Sequence, residues 1–345
     1  MIKIGVVGIG HMGKTHLFNL MKNKNVKLLG VADQSSRARA FAKKMGVKSI
    51  YSNYSELFDE PELQAVVISL PNFLKRESLE AASEKGLAVL IDKPLARNYS
   101  EAVEMEKIVQ KNHSRLMVAS NFRYHPHVKK MKQIIDDGNI GQCKLVSLDY
   151  INHGPFSHPL NPKPVPDWWF EKEKVGGGAL IDNGWHMIDL FTWLFGEANV
   201  ENAIFDHHFN LELEDFANLT IKSKNGVLGV LNVGWFSHVL FPKLDFRIIC
   251  HGTIGYCNTD ELKPNLYLNA AKEALINFKR KIFFQPINIL TYSYYFSSYN
   301  EVLRDFVLCL EKDEEFPISL AQQLMVQEII DKTYKLSPIN TEVEG

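Results

Sequence analysis

Over the first 121 residues, short unbroken apolar runs alternate with stretches whose apolar positions recur every three or four residues. The runs are IKIGVVGI (2–9), VKLLGVAD (26–33), LQAVVISL (63–70), AVLIDK (88–93) and RLMVASN (115–121). A continuous apolar run is what a strand buried on both faces requires. Between the runs the spacing predicts helices over 13–22, 35–46, 54–58, 73–85 and 99–112, with a short strand at 49–51. Gly46 and Gly86 fall at helix ends, where a left-handed residue closes the last turn. Strands alternating with helices imply βαβ units and a parallel sheet.

After residue 121 the texture changes. A helix is expected over 127–137, stopped by Gly138, and residues 141–152 alternate like a strand. The segment 153–167, HGPFSHPLNPKPVPD, carries five prolines and predicts a loop. A helix follows over 179–195, then long strand-like runs at 199–209, 215–223, 226–236 and 243–252, then helices over 299–311 and 319–336. These long runs, separated by turn signals such as KNG (224–226), imply a mostly antiparallel sheet with one face on a helix layer. The fold class is therefore α/β followed by α+β, with domains at 1–121 and 122–345. No flexible linker marks the boundary, so a shared interface is expected.

Composition narrows the partners. At 345 residues the chain exceeds what one core usually fills. A net charge of −1 offers no field to hold nucleic acid or an anionic membrane. The four cysteines, at 143, 250, 257 and 309, show no metal-site spacing, so no metal is expected, and they suit a reducing compartment. The start, MIKIGVVGIG, lacks the basic and apolar regions of a signal peptide. No apolar run approaches the ~20 residues of a membrane span. A soluble cytoplasmic protein is the expectation.

Candidate chemistry begins at VVGIGHMGKTH (6–16). Gly8, Gly10 and Gly13 form G-x-G-x-x-G between a strand and a helix, with Ile9, His11 and Met12 sharing the loop. The glycines serve the tight turn, the approach of backbone to a pyrophosphate, and helix-to-strand packing. The helix N-terminus adds N–H groups and partial positive charge. Asp33 ends the second strand, where a carboxylate binds the adenosine ribose 2′-OH. It would repel a 2′-phosphate, so NAD is favoured over NADP; Arg37 is the residue that could offset this.

Asp92, Lys93 and Pro94 leave a strand at the edge where open α/β sheets bind ligands. The stretch GGGALIDNGWHMIDL (176–190) puts Asp182, His186 and Asp189 in an apolar helix. The three lie within about 60° of one another on a helical wheel. Such a stripe could face water, pair internally in the core, or line a pocket. In the pocket reading His186 is a general base and Asp182 orients it one turn earlier. The glycines would let backbone approach a ligand or the sheet closely.

GIGHMG near the start, DKP (92–94), NFRYHP (121–126) and GGGALIDNGWHMID (176–189) resemble the glucose–fructose oxidoreductase / inositol dehydrogenase / rhizopine-catabolism (Gfo/Idh/MocA) family. The resemblance covers essentially the whole chain. It implies a Rossmann domain, a doubly wound parallel sheet, followed by an α+β domain with a large open sheet. It also implies that Lys93 hydrogen-bonds the reacting hydroxyl, His186 accepts the proton, and Asp182 is its partner or a substrate contact. Ser69, Pro71, Asn72, Asp92 and Asn121 join the cofactor site by the same resemblance, and Arg123 joins Asn121 in an N-x-R segment behind the nicotinamide that contacts substrate. Two positions depart from the family's pattern. Asp92 stands where glutamate is usual, and Lys75 where histidine often follows Asn72.

The resulting expectation is hydride transfer between a sugar or cyclic polyol carbinol and a nicotinamide. Two other readings stand beside it: redox-neutral elimination or glycosidic cleavage through transient oxidation, and a non-catalytic NAD-dependent sensor. Retention of both Lys93 and His186 argues against the sensor. Trp168 and Trp169 could stack on a sugar face, with Trp169 the substrate contact, or pack between domains. His153 and His158 share the Pro-rich loop. The absence of an obvious arginine cluster in the second domain favours a neutral sugar. An apolar sheet face, with GVLGVLNVGWF (226–236) as its candidate, would seek a second copy, giving a homodimer or homotetramer.

Overall fold

The computed structural model describes residues 1–156, 165–209, 211–235, 246–282 and 294–336. The first part builds β1 (Ile2–Val7), α1 (His11–Lys22), β2 (Val26–Ala32), α2 (Ser36–Lys44), β3 (Ser49–Tyr51), α3 (Tyr54–Phe58), β4 (Ala65–Ile68), α4 (Asn72–Glu84), β5 (Ala88–Ile91), α5 (Tyr99–Lys111) and β6 (Leu116–Val118). All pairings are parallel, in the order β3-β2-β1-β4-β5-β6. Every residue of β4 and β5 is buried, which is why these segments read as unbroken apolar runs. The strand order reverses between β1 and β4, and their C-terminal ends open the crevice where such sheets bind ligands.

A 3-10 turn (Asn121–Tyr124) leads to α6 (Pro126–Asp136), β7 (Cys143–Ile151), α7 (Lys172–Val175), a π-helical turn (Leu180–Gly184), α8 (Trp185–Phe195), β8 (Ala198–Asp206), β9 (Phe216–Ser223) and β10 (Leu228–Gly234). Then come β11 (Arg247–Gly252), β12 (Tyr256–Asn258), α9 (Thr259–Leu262), α10 (Leu266–Ile282), α11 (Tyr294–Lys312) and α12 (Leu320–Leu336). The second sheet runs β12-β11-β7-β10-β9-β8, antiparallel except where β7 meets β10. Its inner face buries Val146, Leu148, Leu219, Ile221, Leu231, Val233 and Ile248 in one cluster with α8. Gly229 admits Phe191 of α8: a Cβ there would lie 2.6 Å from the ring.

The outer face of this sheet is mixed rather than apolar. Asn218 and Asn232 hydrogen-bond at 2.8 Å, Asn232 donates to Asp149 at 2.8 Å, and Arg247 lies 3.8 Å from Asp149. Leu145 and Ile204 are exposed beside this polar row. Sequence reading assigned no element between 252 and 299, where β12, α9 and α10 form. In α10, Leu268, Leu275, Phe278 and Ile282 recur at helical spacing, a signal that was present in the sequence, and all four are exposed.

The two sheets part near residue 121, but the helix layers do not. Val302, Leu303, Phe306 and Val307 of α11 share a core with Ile4 and Val6 of β1 and Leu17 of α1. Each such fully buried apolar side chain contributes on the order of 1.5–3 kcal/mol. Helix α12 packs between α8 and β8 on one side and α5 on the other. The interface expected from the missing linker is therefore built largely by the last two helices.

Candidate active site

The loop after β1 shows three different uses of glycine. Gly8 has φ +85°, and a Cβ on it would meet the Ser69 carbonyl oxygen at 2.3 Å. A Cβ on Gly13 would lie 1.8 Å from the Gly8 carbonyl oxygen, so close packing of α1 on the loop needs the bare backbone. Gly10 has nothing within 4 Å and faces open space. No side chain caps α1 at Gly10, which leaves first-turn N–H groups available to an anion. Asp33, just past β2, accepts from Ile9 N–H at 2.6 Å and Ser35 N–H at 2.7 Å. Arg37 is exposed, whereas Arg39 donates to the Asp33 and Gln34 carbonyls, each at 2.8 Å. An open glycine face, an uncapped helix and a carboxylate beside them fit a dinucleotide. His11 is exposed and Met12 half-buried at the same helix start.

The β4 and β5 ends supply the next layer. Ser69 donates to Asp92 at 2.5 Å, and His16 of α1 pairs with the other Asp92 oxygen at 2.8 Å. Burial raises the Asp92 pKa, but the His16 charge and the hydrogen bonds from His16 and Ser69 outweigh it and hold the carboxyl below its usual range. The shorter side chain is thus anchored within the Rossmann half. Pro71 precedes α4, and Asn72 donates to the Val175 carbonyl at 2.9 Å, joining the two halves. Lys75 is 1% exposed and donates to the Asp92 and Pro94 carbonyls, both at 2.7 Å.

The glycine triplet packs closely against the rest of the protein. Cβ atoms on Gly176, Gly177 and Gly178 would meet the Arg97 carbonyl at 2.2 Å, the Tyr334 hydroxyl at 2.0 Å and the Glu214 carbonyl at 1.9 Å. Fully buried Glu214 accepts from Gly178 N–H and Leu180 N–H at 3.0 Å each and from Tyr334 at 2.7 Å. It thereby fixes the start of the segment that carries Asp182.

That segment opens with a π turn instead of continuing as one α-helix. π turns concentrate at functional sites. Here Asp182 pairs with Lys93, contrary to the expected partnership with His186. Lys93 Nζ donates to the Asp182 carboxylate at 2.7 Å and to its carbonyl at 3.0 Å. His186 Nδ1 has no hydrogen-bond partner, and its ring stacks on Phe122 at 3.9 Å with an 11° tilt. Burial, then the charges of Lys93 and His125, hold the His186 pKa well below the ordinary imidazole value. The imidazole is therefore neutral near pH 7.

Asp189, expected on the same stripe, turns into the core. It takes Arg123 bidentately at 2.5 and 2.9 Å, Gln323 at 2.8 Å and the Ser120 hydroxyl. Arg123 is 3% exposed and also donates to Gln322 at 2.9 Å, so its guanidinium is committed to this clamp and not presented to a substrate. Asn121 is buried and donates to Ser298 at 3.0 Å, leaving its Oδ1 unpartnered. Trp168 and Trp169 stack at 5.6 Å and are half-buried, with Trp168 edge-on to Phe73 in the first turn of α4. His158 lies outside the described residues.

The structure thus brings Lys93, Asp182 and His186 together and removes Arg123 and Asp189 from them. His16, Glu214, Tyr334 and Phe122 were not among the residues expected at the site. His16 had a signal, as an imidazole on the buried face of α1 beside Leu17 and Leu20. Glu214 and Tyr334 are 120 positions apart and carried none.

Residues 2–120 match the model of the Gfo/Idh/MocA oxidoreductase family, NAD-binding Rossmann fold, and residues 128–257 match the family's C-terminal domain. An uncharacterized oxidoreductase of Bacillus subtilis, YrbE, is 25% identical over 92% of this chain and 88% of its own length. Myo-inositol 2-dehydrogenase of Thermotoga maritima is 26% identical over 67% of this chain and 68% of its own. The fold is also that of levoglucosan dehydrogenase in complex with NADH (TM-score 0.77, 22% identity, 97% of this chain and 98% of that one). With an open glycine cradle, its neighbouring Asp33, and both halves matched in order, the chain belongs to the Gfo/Idh/MocA family of NAD-binding oxidoreductases.

Proposed function

We propose that the protein is an NAD-dependent dehydrogenase of a neutral sugar or cyclic polyol. The carrying observation is the meeting of Lys93 from the Rossmann half with the Asp182–His186 segment of the second half, at the C-terminal edge of the parallel sheet. Gly8, Gly10, Gly13 and the first turn of α1 would hold the pyrophosphate, and Asp33 the adenosine ribose. Bound nicotinamide supplies the hydride acceptor. The protein's own part is to hold the carbinol and remove its proton. Lys93 places the oxygen and stabilises negative charge developing on it. Asp182 restrains Lys93, and the neutral His186 imidazole accepts the hydroxyl proton as the carbonyl forms.

A relative named myo-inositol 2-dehydrogenase and a fold neighbour named levoglucosan dehydrogenase support a polyhydroxylated substrate. Commitment of Arg123 to Asp189 and of Arg97 to Glu101 supports an uncharged one. The Asp33 carboxylate supports NAD over NADP. Four buried, unpaired cysteines suit a reducing compartment such as the cytoplasm. Among the described residues no helix is long and apolar enough to cross a membrane. The mixed outer face of the second sheet supports pairing with a second copy.

The test is a panel of sugars and polyols followed by NADH absorbance, with NAD and NADP side by side. On the best substrate, Lys93→Ala and His186→Ala should each lower turnover by about 10²–10⁴-fold. NADH affinity, read by fluorescence, should change little. A matching loss of NADH affinity would mean that the two residues serve the cofactor or the fold.

A further inference from the structure

We propose that Lys75 is a positioning residue for Lys93: by bridging the carbonyls of Asp92 and Pro94 it fixes the turn from which the Lys93 side chain leaves. The inference rests on the reading that Lys93 touches the substrate. Lys75 is the fourth residue of α4 and reaches from the helix to the end of β5. It is 1% exposed, and both its hydrogen bonds, at 2.7 Å, go to neutral carbonyls rather than to a carboxylate. Lysine is almost never fully buried without a charged partner, because an ammonium loses its hydration. If packing alone mattered, methionine or leucine would fill this place with less penalty.

The two acceptors explain what the amine does that an apolar side chain cannot. They belong to the residues on either side of Lys93, so one Nζ atom fixes the backbone before and after it. Burial lowers the Lys75 pKa to about 7, with Lys93 adding to the fall and Asp92 and Glu101 opposing it. A neutral amine retains two N–H groups, so either protonation state satisfies both carbonyls. Independently, His16 and Ser69 hold the Asp92 side chain. The backbone under Lys93 is thus tied to α1, β4 and α4, while its ammonium meets Asp182 from the other half of the molecule.

Two measurements on the full chain test this. First, accessible lysines are ¹³C-methylated and followed by NMR, with Lys93 assigned through Lys93→Arg; buried Lys75 is protected from the reagent. In Lys75→Met the Lys93 signal should move towards those of freely exposed lysines. Second, turnover is compared in a double-mutant cycle with Lys93→Met, using the panel's best sugar. A displacement of about 1 Å at a reacting group costs on the order of 10²-fold. Lys75→Met should lower kcat by about that factor when Lys93 is present, and by less than about twofold when it is Met, with NADH affinity retained. An unmoved Lys93 signal, or equal losses in both backgrounds, overturns the inference. Full turnover of Lys93→Met alone would instead overturn the proposed role of Lys93 and leave the NMR result to decide Lys75. Should Lys75→Met fail to fold, Lys75→Arg, which keeps the stem but displaces the donors, is read the same way.

Discussion

Three imidazoles of the second half of the chain are held away from water. His186, His125 and His127 are all buried, His186 stacks on Phe122, and the other two rings lie against Phe246. Burial lowers all three pKa values, His186 and His125 well below 6.5 and His127 to about 3. In the unfolded chain they titrate near 6.5, so below that pH the unfolded state binds more protons than the native one. Stability should therefore fall as pH falls from about 6.5 towards 3, by up to ~1.4 kcal/mol per pH unit for each imidazole still neutral in the fold. Urea midpoints at about pH 7.5 and pH 5 would read this; an unchanged midpoint would mean the rings are charged in the native state. At this scale the sequence was partly legible. Lys93, Asp182 and His186 do converge, because a strand edge and a polar stripe in an apolar helix are local signals. Their pairing was not legible, because it depends on a π turn that no helical wheel contains.

Elements set what each glycine tolerates, and the loop after β1 separates two roles. Gly10 faces open space with φ −70°, a conformation any residue can adopt. Gly10→Val should leave the melting temperature within about a degree or two, as for surface changes, while weakening NADH binding at least about tenfold by filling the cradle. At Gly13 a Cβ would collide with the Gly8 backbone, so Gly13→Ala should weaken binding and also lower the melting temperature. Calorimetry beside NADH fluorescence distinguishes the two; a large thermal loss in Gly10→Val would show that its open face is structural. The βαβ alternation was readable because the central strands of the parallel sheet, β4 and β5 above all, are buried on both sides. The triplet at 176–178 was readable as a demand for close approach but not for its target. Glu214 and Tyr334 meet there only through the tertiary fold.

At the scale of the whole molecule, the outer face of the second sheet is a regular surface with polar and apolar side chains side by side. Its polar row of Asn218, Asn232, Asp149 and Arg247 lies beside exposed Leu145 and Ile204. Such a mixture suits a face that meets a second copy yet stays soluble alone. Light scattering at micromolar concentration should give at least twice the monomer mass, and Ile204→Lys, a charge at this face, should shift it towards the monomer. A monomer at the outset would remove the sheet as a self-association surface. Sequence reading expected this face to be more apolar than it is, since alternation reveals that one side is outward but not what it meets. The return of α11 to the first sheet has a different consequence, in time rather than space. During synthesis Ile4, Val6 and Leu17 emerge long before Val302 and Phe306 exist to cover them. A chain stopped ahead of α11 keeps part of the apolar surface of β1 and α1 uncovered, and should aggregate more readily than the full one.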